Sequence, residues 1–317
     1  MEALKPKITI VGAGAVGIRF AYALVISGLV RQLVLIDKDK RRTEGEAMDL
    51  SHCQAFTSPI DLVVGDYSDA FSSDIVVITA GAKQKVGQSR LDLVNINVEI
   101  FKEIIPNLVK YTANSIFLVV TNPVDVLSYV AYKLSGKPSK EVIGSGTVLD
   151  SARFRFLLSK HCQIDARNVH AYILGEHGDS EVAIWSKAMI GGIAIKEYCP
   201  VCKNRNNCQN TELENIFLEV RDSAYKIIER KGETSYGIGL ALLRIVTAIL
   251  KDENAVLPVS VLVDGYLGIK DVYMSLPAIV NKQGIKDILY PRLEKDEEEK
   301  LKNSAEVIRQ ILNKLKI

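Results

Sequence analysis

The chain has no apolar run approaching the ~18 to 20 residues that span a bilayer, so no membrane partner is expected. Its one early apolar run, Ile8 to Val11, breaks at once into glycines, unlike a signal-peptide core, and a cytoplasmic location is expected. Charge of either sign is not in excess: 40 Lys and Arg stand against 38 Asp and Glu, which gives no basis for nucleic-acid binding. The basic run Lys38-Asp39-Lys40-Arg41-Arg42 is short, interrupted and free of aromatics, and reads as a solvated helix start. Internal repeats, low-complexity tracts and long linkers are also missing. Histidine is scarce, with four in 317 residues.

Cysteine is present in an odd number, five. Cys53 and Cys162 sit singly in helical-looking sequence and are expected to be reduced and buried. Cys199, Cys202 and Cys208 cluster, and three thiolates could hold zinc if a fourth ligand came from elsewhere. The nearest histidine is His177, so the cluster reads as a polar surface excursion and no metal is expected.

What is there is an α/β pattern. Short β-rich runs at 7–11, 32–36, 62–64, 75–79, 116–120 and 142–143 alternate with helical segments at 15–27, 43–53, 92–112 and 124–134, with Pro106 expected to bend the third. This predicts a doubly wound parallel sheet, a Rossmann-type domain over residues 1–145. Residues 146–317 read as a second α+β domain that carries the substrate, with helices at 211–231 and 235–250, antiparallel strands at 256–263 and 272–280, and an amphipathic helix over 294–316. The two domains are expected to pack together.

Directly after the first strand comes Gly12-Ala13-Gly14-Ala15-Val16-Gly17, opening a helix. The first glycine makes the tight turn, the second admits a pyrophosphate against backbone N–H groups, and the third lets helix and strand pack closely. Asp37 ends the next strand, where a carboxylate accepts from ribose hydroxyls and repels a 2′-phosphate. The expected cofactor is NAD rather than NADP.

Gly175-Glu176-His177-Gly178-Asp179-Ser180 places one histidine between two glycines with carboxylates on either side. Histidine exchanges a proton near neutral pH without extreme tuning. The bland alternative is a turn carrying a surface histidine. Three other fragments carry polar groups: Thr121-Asn122-Pro123-Val124-Asp125 after a strand, Leu149-Asp150-Ser151-Ala152-Arg153 at a helix start with Asp150 and Arg153 on one face, and a glycine-bounded loop, Gly81 to Arg90, that reads as a lid.

In order and spacing, these motifs resemble those of the L-lactate/malate dehydrogenase family, over essentially the whole chain. The resemblance implies that His177 is the general acid/base, that Asp150 orients its imidazole, that Arg153 grips the substrate carboxylate, and that Arg90 closes with the lid to polarise the carbonyl. It implies that Asn122 hydrogen-bonds near the reacting oxygen and joins Pro123 through a cis bond, and that Thr234 and Ile238 line the substrate and nicotinamide pockets. Gln84 matches the position facing the substrate's C3 substituent, where malate-type relatives place arginine. A neutral glutamine there favours pyruvate and L-lactate, in the manner of the bacterial L-lactate dehydrogenases, with malate or another L-2-hydroxy acid as the alternative. Lys83 and Lys85 flank it and could contribute a cation from a shifted lid. Arg155 and His170 correspond to positions of a fructose 1,6-bisphosphate effector site in relatives that are often homotetramers. Two departures stand out: Gln88 where many relatives carry glutamate, and the cysteine-bearing segment from Tyr198 to Asn210. A chain that bound NAD without catalysing would be expected to lack one of His177, Asp150, Arg153 or Arg90, and all four are present.

Overall fold

The computed structural model describes residues 6–82, 90–195, 197 and 211–315. Gln84, Lys83, Lys85, Gln88 and the three clustered cysteines lie outside the described residues, and of Arg90 only the backbone is described.

In the first half, β1 (Lys7–Val11), β2 (Gln32–Ile36), β3 (Asp61–Val64), β4 (Ile75–Ile78), β5 (Ile116–Val119) and β6 (Val142–Gly144) alternate with α1 (Ala15–Ser27), α2 (Lys40–His52), α3 (Arg90–Val109) and α4 (Val124–Ser135). These strands pair in parallel, in the order β6-β5-β4-β1-β2-β3. Helices cover both faces, and the central strands β4 and β5 are fully buried runs of Ile, Val, Phe and Leu, as a two-sided parallel sheet requires. Helix α2 begins at Lys40, three residues earlier than the sequence suggests, because Asp39 caps it by accepting from the Arg42 N–H at 3.1 Å. Helix α3 is one element that runs through Pro106.

The second half adds α5 (Val148–Cys162) and five two-residue strands, β7 (Val169–His170), β8 (Ile173–Leu174), β9 (Val182–Ala183), β10 (Met189–Ile190) and β11 (Ile193–Ala194). There follow α6 (Thr211–Lys231), α7 (Tyr236–Leu250), β12 (Ala255–Val263), β13 (Val272–Asn281), β14 (Gly284–Ile288) and α8 (Lys295–Leu312). The two-residue strands are too short to carry a period, and β14 lies beyond the antiparallel pair that the sequence suggests. The meander β12-β13-β14 does not form a separate sheet. It joins the parallel sheet through Ser260 of β12 opposite Gly144 of β6, making nine strands in all among the described residues. A side chain at Gly144 would collide with Ser260 and Ser128, so glycine is what lets the two halves share a sheet.

Helix α7 packs along α1. The Gly239 Cα faces the backbone of Arg19, with room for only 3.3 Å to a Cβ. At its start, Gly237 lies against the Leu149 side chain, which ties α7 to the first turn of α5. In α8, Leu301, Ala305 and Ile308 are buried, matching the expected apolar face. Glu297, also buried, accepts from the Ser186 N–H at 2.8 Å and from its hydroxyl.

Candidate functional site

The strand order reverses between β1 and β4, and the loops after these strands open at the carboxyl edge of the sheet, where such folds bind ligands. Gly12 follows β1 with φ +111°, and a Cβ there would meet the Ala80 N at 2.5 Å and the Thr79 hydroxyl at 2.7 Å. Gly17 could carry no side chain either, since a Cβ would run into the Gly12 carbonyl. Gly14 has open space where a Cβ would stand. Beyond it, the N–H groups of the first turn of α1, from Ala15, Val16 and Gly17, have no helical acceptor and point outward with the positive end of the helix dipole. Asp37, at the end of β2, accepts from the Ala13 N–H at 2.7 Å and the Asp39 N–H at 3.0 Å. A carboxylate has about four lone-pair directions, so two are left for a diol. These residues fit a dinucleotide, with phosphates on the open helix turn and a ribose at Asp37.

The catalytic candidates converge from two elements, helix α5 and the loop after β8. The His177 Nδ1 lies 2.5 Å from the Asp150 Oδ2, and Arg153 donates from Nη1 to the Asp150 Oδ1 at 2.8 Å. Asp150 is buried, so both its oxygens are satisfied by side chains that also neutralise it. Burial would raise its carboxyl, but the charges and hydrogen bonds of His177 and Arg153 outweigh burial and hold it below the ordinary range. Burial would likewise lower the imidazole. Asp150, by charge and hydrogen bond, with Asp125 and Glu181 behind it, reverses this and raises His177 to about 9. The side chain of His177 is a quarter exposed, so the imidazole has a route to substrate.

The loop that carries His177 is anchored at several points. Gly175 pairs with Ser275 of β13 in both directions, at 3.0 and 2.8 Å, and the Glu176 N–H donates to the Ser304 hydroxyl of α8 at 2.8 Å. A side chain at Gly175 would strike that hydroxyl, and its φ of +93° excludes most residues anyway. The His177 N–H itself donates to the Asp125 Oδ2 at 2.7 Å. Asp125 is buried and also accepts from Ser260 at 2.6 Å. Burial, only partly offset by these two donors, raises it to about 7.

Asn122 stands exposed at the carboxyl edge after β5, joined to Pro123 through a cis bond. Its carbonyl accepts from the buried Asn97 at 2.9 Å, and Asn97 in turn accepts from the Ala82 N–H at 2.7 Å. Asn97 thus ties Ala82 to the edge of the sheet. Half-buried Thr234 precedes α7 and Ile238 lies in its first turn, close to where α7 meets Leu149. Arg155 is two positions past Arg153 and so points away from that face of α5, donating to the Ala166 carbonyl at 3.3 Å; His170 is exposed on β7. Cys162 is buried, whereas Cys53 is a free cysteine only half buried, a correction to the expectation, because it caps the end of α2 rather than lying on its packed face.

Three residues central to this geometry carry no motif role in the sequence reading: Asn97, Asp125 as an anchor, and Glu181. Asn97 and Asp125 act through partners far away in the chain, and Glu181 reaches Asp150 only once the loop has folded back onto α5, so no local spacing announces these contacts.

Comparison with known proteins bears on the whole chain. Residues 6–144 match the lactate/malate dehydrogenase NAD binding domain, and residues 147–316 match the alpha/beta C-terminal domain of the same family. The chain belongs to the lactate/malate dehydrogenase family. It is 51% identical over 310 residues to L-lactate dehydrogenase 1 of Clostridium acetobutylicum, covering 98% of each chain. With an L-lactate dehydrogenase of Clostridium botulinum it shares 53% over 309 residues, 97% of this chain and 96% of that one. Among solved structures it superposes at TM-score 0.93 and 48% identity on a lactate dehydrogenase from a Medee basin deep-sea metagenome library, covering 98% of this chain and 99% of that one. It matches the minor L-lactate dehydrogenase of Enterococcus mundtii in its ligand-bound form at TM-score 0.95 and 39% identity, over 99% of each. The family uses NAD, in agreement with the fit of the glycine turn and Asp37. Among the described residues no helix is long and apolar enough to cross a membrane.

Proposed function

We propose that this chain is an NAD-dependent L-lactate dehydrogenase, interconverting pyruvate and L-lactate. The observation that carries the reading is the chain of contacts Arg153–Asp150–His177 at 2.8 and 2.5 Å, set in an NAD-dependent family. Bound NADH supplies the hydride. Arg153 holds the substrate carboxylate; with Nη1 committed to Asp150, its Nε/Nη2 edge is the one that suits a two-pronged grip. Asp150 fixes Nδ1–H of His177, which leaves Nε2 to give its proton to the ketone oxygen. A raised proton affinity keeps the imidazole charged at neutral pH, ready for reduction. Arg90, carried in with the lid, polarises the carbonyl, Asn122 donates near the reacting oxygen, and Thr234 and Ile238 line the pocket. Gly12, Ala13, Gly14, Ala15, Val16, Gly17, Asp37 and Asn122 form the NAD site.

Gln84 selects pyruvate over oxaloacetate by offering no cation to a second carboxylate. The dinucleotide-binding domain spans residues 1–145 and the catalytic domain residues 146–317. The enzyme acts in the cytoplasm, in keeping with the free thiol at Cys53. It assembles as a homotetramer, which accounts for the exposed pairs Tyr22 and Ile26 on α1 and Tyr236 and Leu240 on α7, each one turn apart on helices that pack together. Arg155 and His170 form a site for fructose 1,6-bisphosphate.

The deciding assay is NADH oxidation with pyruvate and with oxaloacetate in parallel, each with and without fructose 1,6-bisphosphate. A large preference for pyruvate is expected, with activation by the sugar phosphate. A preference for oxaloacetate would overturn the substrate and point to Lys83 or Lys85 entering the closed site.

A further inference from the structure

One buried ionisable group next to the catalytic dyad has no part in the chemistry described above. The turn closed by the Glu181 N–H on the Gly178 carbonyl, at 3.1 Å, brings the chain back on itself, so that Glu181 returns toward the histidine four residues before it. Side-chain atoms of Glu181, Asp150 and His177 all lie within 4.8 Å of one another. Glu181 is nine-tenths buried, and its Oε1 has no hydrogen-bond partner among the described residues. A carboxylate in that position lacks the donors that normally hold its charge. Each oxygen of Asp150 is already engaged by a side chain, Oδ1 by Arg153 and Oδ2 by His177.

The surroundings explain what such a group could do. Facing the pair are Asp150 and Arg153 from α5, Asp125 from α4 and Arg221 from α6, while Glu176 and Asp179 of the same loop act on Asp125 and Arg221. Burial, reinforced by the charge of Asp150, raises Glu181 to about 8, while His177, Arg153 and Arg221 pull the other way. With the imidazole protonated, Glu181 ionises only on the alkaline side of neutral, and its carboxylate then balances the ring. Once the imidazole is neutral, Glu181 and Asp150 would stand as two anions at close range, and one of them must be neutralised.

We propose that Glu181 is a positioning residue that exchanges charge with His177 on the alkaline side of neutral pH: its carboxyl is ionised there while the imidazole is still protonated, and takes up a proton from water as the imidazole delivers its own to the substrate oxygen. One proton leaves His177 for the new hydroxyl and one enters from solvent at Glu181, so the net charge of the buried cluster does not change. The inference rests on His177 being the acid/base group.

The test compares Glu181→Gln and Glu181→Asp with the parent enzyme in pH profiles of kcat/KM for pyruvate. The alkaline limb of Glu181→Gln is expected about one pH unit more acid than that of the parent, the usual effect of removing an opposite charge at this range. Glu181→Asp keeps a carboxyl and is expected to return the limb toward the parent position. A Glu181→Gln limb at the parent's pH, or a loss of equal size at every pH, overturns the proposal. Should Glu181→Gln not fold, a single turnover of the parent with an indicator dye, run between pH 8 and 9 where Glu181 is ionised and His177 still protonated, decides. Proton uptake in step with the loss of NADH absorbance is expected, and uptake that lags behind it overturns the proposal. Failure of the functional reading itself looks different: the parent does not reduce pyruvate, or His177→Gln still does.

Discussion

The Asp125 carboxylate holds the backbone N–H of His177 at 2.7 Å on one oxygen and the Ser260 hydroxyl at 2.6 Å on the other. One side chain from α4 therefore joins the loop bearing the proton donor to β12, the strand through which the second half of the chain enters the sheet. The imidazole is thus held from both ends, its ring by Asp150 and its backbone by Asp125.

Removing the ring's own partner tests the acid/base assignment. His177→Gln is expected to lower kcat for pyruvate by roughly 10²- to 10⁴-fold, the range for positioned proton transfer, with NADH binding kept. Asp150→Asn should fall in the same range. Steady-state kinetics, with NADH fluorescence as the binding control, check both.

The pH dependence has a defined sign. Reduction needs a protonated His177, so kcat/KM for pyruvate should hold through neutral pH and fall as pH rises through about 9. Oxidation needs the neutral ring, and kcat/KM for L-lactate should rise through the same region. Paired profiles in the two directions test this, and limbs near pH 6.5, the ordinary histidine value, would contradict it.

Arg153→Lys keeps the charge and loses the fork. A lost charge-assisted hydrogen bond is worth about 1.5–3 kcal/mol, so kcat/KM for pyruvate should drop roughly 10- to 100-fold. Initial-rate kinetics measure the drop. Part of it would come from Asp150, which loses its Nη1 donor.

Stability should carry the mark of Asp125. Its folded pKa, about 7, lies above the ordinary 3.8, the reverse of the usual carboxylate, so its contribution is largest below pH 4 and is lost as pH rises to 7. Ser260→Ala removes a donor that favours the ionised form. The variant should therefore be destabilised by about 1–3 kcal/mol above pH 7 and by less at pH 5. Urea unfolding at the two pH values would show the difference.

Asp37→Ala should narrow the preference for NADH over NADPH, chiefly by weakening NADH binding roughly 10- to 100-fold, the worth of a hydrogen bond to a charged group. Fluorescence titration with each nucleotide measures it. The Ala13 N–H would lose its acceptor as well, so some of the loss would come from a looser glycine turn.

Most of the fold was legible because its signals are local. Helix α1 begins and ends where the pattern of Ala15 to Ser27 predicts, since the glycine turn starts it and Gly28, with φ +63°, stops it. The six parallel strands announce themselves as short runs rich in Val, Ile and Leu, and all but the half-exposed edge strand β3 are buried on both faces. His177, Asp150 and Arg153 were readable because fixed spacings within short motifs carry them. What no spacing could reveal were contacts closed across the fold: Asp125 with His177, 52 residues apart, Asp125 with Ser260, 135 apart, and Asn97 with Asn122, 25 apart. The joining of β12 to β6 is of the same kind, since it depends on Gly144 leaving room for Ser260, a fact of packing and not of pattern. Sequence by itself determined which residue types can turn, cap, bind phosphate and move a proton. Tertiary structure alone decided which carboxylates are buried beside the imidazole, and burial and proximity, which exist only once the chain has closed, set how tightly that imidazole holds its proton.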